Sequence, residues 1–227
     1  MKAAHADTAA EGAENGAELA LRGVPWWGIA SSAAAPVLLV AGWAAAAAVQ
    51  SASPRPYDWV RQTVSVLAAP GATDRWVMTL TFVLVGTCDV VTGLALRPAA
   101  RAGRLMLIIG AAGGILVAAN PEPAGGGSSA RHAFFATIGF VALTVWPIAA
   151  VHWQATRPGP ATPWALRPAV AVGAAWVTAA LLTWFVVELL IGLPQLGLSE
   201  RALGEFQALW PLVAVVSCVS AHERAVL

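Results

Sequence analysis

The sequence is short of charge. Asp, Glu, Lys and Arg make up 11% of its 227 residues, where soluble domains carry roughly a quarter. A soluble protein of this size needs a charged shell, so the deficit excludes an ordinary globular domain in water. Neither sign dominates: the formal net charge is +1, which leaves no electrostatic footprint for a nucleic-acid partner. Cysteine occurs only as Cys88 and Cys218, both inside apolar runs, and neither their number nor their spacing suits a disulfide framework or a metal knuckle. There is no P-loop, no Rossmann fingerprint and no metal-ligand triad. No metal and no other cofactor is expected.

What the chain has instead is apolar length: 58% of it is hydrophobic. A helix needs about 20 apolar residues to cross the hydrocarbon of a bilayer. Six stretches meet or approach that: 27–49, 76–96, 105–119, 133–153, 169–192 and 206–221. Long unbroken runs of this kind cannot be the alternating pattern of a membrane barrel, so the expected fold is all-α, a polytopic bundle of six spans over 25–224. Residues 1–24 are acidic (Asp7, Glu11, Glu14, Glu18) and lack apolar periodicity. They read as a disordered tail rather than a basic secretory leader.

The basic residues orient the bundle. Lys2, Arg22, Arg97, Arg101, Arg104, Arg157, Arg167 and Arg224 fall on one side, and Arg55, Arg61, Arg75, Arg131 and Arg201 on the other. Eight against five, with three arginines packed into the short loop 97–104, puts both termini in the cytoplasm of a cell-membrane protein. Of the eleven tryptophans, most fall at the ends of spans as interfacial belts. Trp43, Trp146, Trp176 and Trp184 lie within spans, where they pack against lipid or line an apolar cavity.

The outer segments carry the chemistry. In Ser53–Asp74, Val60, Val64 and Leu67 recur at helical spacing, with Asp58, Arg61 and Ser65 on another face. This predicts a short amphipathic helix in the interface, begun after Pro56 and stopped at Pro70–Gly71. In the second outer segment Ser128 or Ser129 is a natural N-cap for the fourth span, which puts His132 in that helix's first turn. Such a histidine is either a hydrated interfacial residue or a ligand or proton-transfer group. Glu188 lies near the outer end of the fifth span with Trp184 four residues earlier, and Gln207 opens the sixth. Ser65, Arg61, His132, Glu188 and Gln207 are expected at one depth. Asp89 is a second intramembrane acid, nearer the cytoplasmic end, and serves either a helix–helix hydrogen bond or function. Gly110, Gly113 and Gly114 in the third span allow close helix approach.

The run Ser65-Val-Leu-Ala-Ala-Pro-Gly-Ala-Thr-Asp-Arg-Trp-Val-Met78, the glycine at Gly86, Gly-Leu-Ala-Leu-Arg97, the Asn120-Pro-Glu-Pro turn and His132 resemble the bacterial and archaeal membrane family known as domain of unknown function 998. The fifth and sixth spans match it only in hydropathy. The resemblance implies six spans with the Ser65 and His132 segments on one side, and it implies no activity.

Function remains open among three classes. The first is handling of a lipid-like or isoprenoid molecule in an outer-side cleft roofed by Ser53–Asp74, with Asp58, Arg61, Ser65, Trp184 and Gln207 as binding residues. The second is an enzyme that uses Glu188, His132 or Asp89. A neutral acid beside tryptophan faces could protonate an alkene or epoxide in terpene-cyclase fashion, or His132 could activate Ser65 or water for hydrolysis. The third is a structural or partner-binding subunit. No transporter signature of broken helices in matching halves is present.

Overall fold

A computed structural model describes residues 23–124, 127, 129–153 and 162–226. Among the described residues regular structure is helical throughout. The helices are α1 (Trp26–Ser51), α2 (Trp76–Ala95), α3 (Arg101–Ala119), α4 (Ala130–Ala149), α5 (Pro168–Ile191) and α6 (Leu196–Val226). Two short 3-10 turns, Val64–Ala68 and Trp164–Leu166, lie between them. All six helices are long and apolar enough to cross a membrane, and the chain is a polytopic helical bundle. The acidic tail expected over 1–24 lies outside the described residues except for Gly23 and Val24, and so does Ser128.

Each helix packs on the next in the chain, and α6 packs back on α1, which closes the ring. Small residues bring neighbouring backbones together. A side chain on Gly86 would meet the Ala111 carbonyl of α3 at 2.8 Å, and one on Gly113 would meet the Gly139 backbone of α4 at the same distance. Arg104 at the start of α3 reaches back to the carbonyls of Gly93 and Leu94, at 2.8 and 2.7 Å, and so satisfies the open end of α2. Ser129 is the N-cap of α4, accepting the His132 N–H. Pro168 opens α5, and Gly192 closes it at a left-handed φ of 74°, its N–H donating to the Glu188 carbonyl.

Two expectations need correction. The sixth helix begins at Leu196, ten residues before the expected Phe206. An apolar-run criterion stops at Ser199, Glu200, Arg201 and Glu205, yet a helix carries such residues when they are buried with partners. At 31 residues and 1.5 Å each it spans about 46 Å, well beyond the roughly 30 Å of hydrocarbon. The segment Ser53–Asp74 is not one amphipathic helix. Asp58 Oδ1 accepts the N–H groups of Val60 and Arg61 at 3.0 and 3.2 Å, a local turn that competes with helix. The carbonyls of Trp59, Val60 and Gln62, which a helix would use internally, are taken by α6 instead. What remains is a compact cap ending in the Val64–Ala68 turn.

Two buried clusters bracket the bundle. Under the cap lie Ala46, Tyr57, Val64, Leu67, Ala68 and Met78. At the opposite end Trp146 is packed with Leu96, Leu107, Ala150, Leu166 and Val215.

Candidate functional site: a capped cavity inside the ring

Between the two clusters lies a cavity of about 140 Å³. Its walls come from five helices: Leu39 and Trp43 of α1, Phe82 and Asp89 of α2, Gly110 and Gly114 of α3, Phe140 and Leu143 of α4, and Glu200 to Ala208 of α6. Val64 and Ser65 of the 3-10 turn close it from the cap side.

The cap is fastened to the first two turns of α6. The N–H groups of Gly197 and Leu198 donate to the Val60 carbonyl at 2.8 and 3.1 Å, so open donors of the helix start are satisfied by the cap. Gly197 is required there, because a Cβ would sit 2.2 Å from the Gln62 carbonyl oxygen. Glu200 Oε2 accepts the Val64 N–H at 2.6 Å. Arg201 Nη1 donates to the carbonyls of Trp59, Gln62 and its own Gly197 at 2.8, 3.3 and 2.7 Å. Its Nη2 donates to the Tyr57 hydroxyl. Tyr57 in turn faces the carbonyls of Gln62 and Thr63, each at 2.9 Å. Burial pushes the Tyr57 phenol up to about 12, which keeps its proton in place as a donor. The guanidinium also lies 4.8 Å from the Trp43 ring centre and 5.3 Å from that of Tyr57, within cation–π range. Trp43 Nε1 donates to Glu205 at 3.1 Å.

A second polar group supports the cap from the α3–α4 loop. His132 Nδ1 lies 2.9 Å from the Asn120 carbonyl oxygen, and its Nε2 lies 3.8 Å from Glu122. Glu122 is hydrogen-bonded to the Thr63 side chain, and burial pushes its carboxyl up to about 7.

The residues proposed from sequence are distributed as follows. Ser65, Gln207 and Asp89 line the cavity. Gln207 donates to the Phe140 carbonyl at 3.1 Å and to Thr144 Oγ1 at 3.3 Å, tying α6 to α4. Asp58 and Arg61 are exposed on the outside of the cap and face each other at 3.7 Å. Glu188 is buried at the α5–α6 turn, where it accepts Trp184 Nε1 at 3.2 Å and the Gln195 N–H at 2.8 Å. Glu188, Trp184, His132, Asp58 and Arg61 are not among the lining residues of this cavity. Of the four tryptophans within spans, Trp43 lines the cavity, Trp146 is buried at the far end, and Trp176 is exposed on the outer face of the ring.

Sequence reasoning did not single out Glu200, Glu205 or Trp43 as a group. The available signal was Gly197, Glu200, Arg201, Gly204 and Glu205: small residues and charges at helical spacing directly before an apolar run.

The model of the family described as "Protein of unknown function (DUF998)" matches residues 22–217. The chain belongs to that family. The matched region takes in all of α1 to α5, the cap and the whole cavity-lining part of α6. The DUF998 match therefore reaches the fifth and sixth helices, which carried little of the resemblance at the level of motifs. No curated protein and no solved structure matches the chain.

Proposed function

We propose that this membrane protein holds a lipid-like or isoprenoid molecule in the capped cavity. The observation that carries the reading is the cavity itself: apolar walls from five helices with a hydrogen-bonded polar group, Glu200, Arg201, Glu205 and Gln207, along one side. Ligand sites are mostly apolar concavities with a few convergent polar groups that fix orientation. An interior space of about 150 Å³ is known to accept a benzene ring. The present 140 Å³ therefore encloses about one ring or one isoprene unit, and the rest of a longer molecule would extend out of it. The arginine distribution supports a cell-membrane orientation with the cap outside and both termini in the cytoplasm. Glu188 and His132 have partners of their own away from the cavity, so the reading is binding, with no chemistry assigned.

Gly114 supplies the test. It lines the cavity, and a Cβ placed on it would meet nothing within 4 Å. Gly114→Leu should fill the space without a clash, while raising helix propensity. Mass spectrometry of lipid extracts from wild type and Gly114→Leu, purified side by side in mild detergent, should show an amphiphile enriched over bulk lipid in the wild type alone. The same bulk-lipid profile in both would overturn the proposal.

A further inference from the structure

Asp89 is the one cavity-lining acid with nothing to bind. Its side chain is 3% exposed, lines the cavity and makes no hydrogen bond among the described residues; Oδ1 is buried without a partner. The hydroxyls beside it in sequence are committed elsewhere. Thr87 Oγ1 donates to the Val83 carbonyl at 2.7 Å, and Thr92 Oγ1 pairs with Ser31 Oγ of α1 at 2.9 Å. The other carboxyl groups on the wall are engaged by the protein, Glu200 by Val64 and Glu205 by Trp43, and Arg201 spends Nη1 and Nη2 on three carbonyls and Tyr57, its Nε being buried without a partner. Three carboxyl groups thus share the cavity with one guanidinium, and only Asp89 has no partner. A buried acid left without a partner is costly, and acids at membrane depth characteristically mark a substrate or ion site.

Its surroundings narrow the kind of ligand. Phe82 lies seven residues before Asp89 on the same helix, hence on the same face two turns away, and both line the cavity. Phe140 of α4 also lines it, and the α3 wall is left open at Gly114, where a Cβ would meet nothing within 4 Å. An acid set among aromatic rings and aliphatic walls suits neither an anion nor a hydrated metal ion. It suits an organic cation, whose charge is met by the carboxylate and whose methyl or methylene groups are met by ring faces. We infer that the cavity recognises a lipophilic ammonium group, with Asp89 as its counter-ion. The inference rests on the binding role proposed above and specifies the charge of the bound molecule.

The probe is phenyltrimethylammonium, with tert-butylbenzene as its uncharged isostere, titrated calorimetrically into the full-length protein in detergent. Wild type should bind the ammonium at least tenfold more tightly than the isostere. Asp89→Asn should lose at least tenfold in ammonium affinity while keeping its affinity for tert-butylbenzene, and Gly114→Leu should lose both ligands. Wild-type binding of tert-butylbenzene without preference for the cation would overturn this inference and leave the cavity role standing. Binding of neither compound would count against both. The charged-over-neutral preference of the wild type still tests recognition of the cation if Asp89→Asn does not fold, and unchanged ammonium affinity in a folded Asp89→Asn would overturn Asp89 as the counter-ion.

Discussion

Arg201 is 7% exposed and holds the cap and α6 together through the carbonyls of Trp59, Gln62 and Gly197 and the hydroxyl of Tyr57. No carboxylate oxygen is within ion-pair distance of it among the described residues, and its compensation comes from carbonyl dipoles, two aromatic faces and the fields of Glu200 and Glu205. Removing one member of such a set leaves others buried and unpaired. Tyr57→Phe should cost about 1–3 kcal/mol, and Arg201→Met about 3–5 kcal/mol because a buried network loses its charge. Thermal unfolding in detergent reads both, with each kcal/mol worth roughly 2–4 °C at this size. An unchanged midpoint in Arg201→Met would contradict the anchoring role. At this scale the sequence was only partly legible. It singled out Ser65 on a polar face, Gln207 at the opening of the sixth span and Asp89 within the second, and all three line the cavity. It could not show that Arg201, counted among the outer-side charges, folds inward, because its partners are backbone carbonyls of a loop and carbonyls leave no trace in composition.

Among the elements, the α3–α4 crossing offers the sharpest test of packing. Gly113 and Gly139 face each other there, but not symmetrically. A Cβ on Gly113 would lie 2.8 Å from Gly139 backbone atoms, whereas one on Gly139 would find its nearest neighbour at 3.5 Å. Gly113→Ala should therefore destabilise by about 1–3 kcal/mol through overpacking against backbone that cannot yield. Gly139→Ala should be neutral, or stabilising by up to about 1 kcal/mol through helix propensity. Equal melting shifts in the two variants would show that the helices cross elsewhere. The existence and order of the six helices were readable from apolar length alone, since each span must satisfy its backbone internally. The start of α6 was not, because its first two turns carry Ser199, Glu200 and Arg201, all of them buried. Nor was the cap, where helical spacing of Val60, Val64 and Leu67 is overridden by hydrogen bonds to α6.

The whole molecule is a closed ring of helices with a plug at one end, around Trp146, and a cap at the other, around Tyr57 and Leu67. The ring leaves room inside because α3 contributes glycine where larger residues would meet. Gly113 is used for contact with α4, and Gly114, one position on, faces open space. Sequence showed three glycines suited to close packing and could not show that one of them faces a cavity, since a 100° step around the helix separates the two roles. The polar residues singled out from sequence likewise divide by direction: Ser65 faces inward, Asp58 and Arg61 face out, and Glu188 secures a turn. Membranes equilibrated with a diazirine-bearing alkyl alcohol, irradiated and mapped by peptide mass spectrometry, would locate a bound amphiphile directly. Adducts at Leu39, Phe82 and Leu143 are expected in the wild type and should vanish in Gly114→Leu. Adducts confined to the exposed outer face, at Trp26, Trp176 and Leu190, and equal in both proteins, would contradict the binding role.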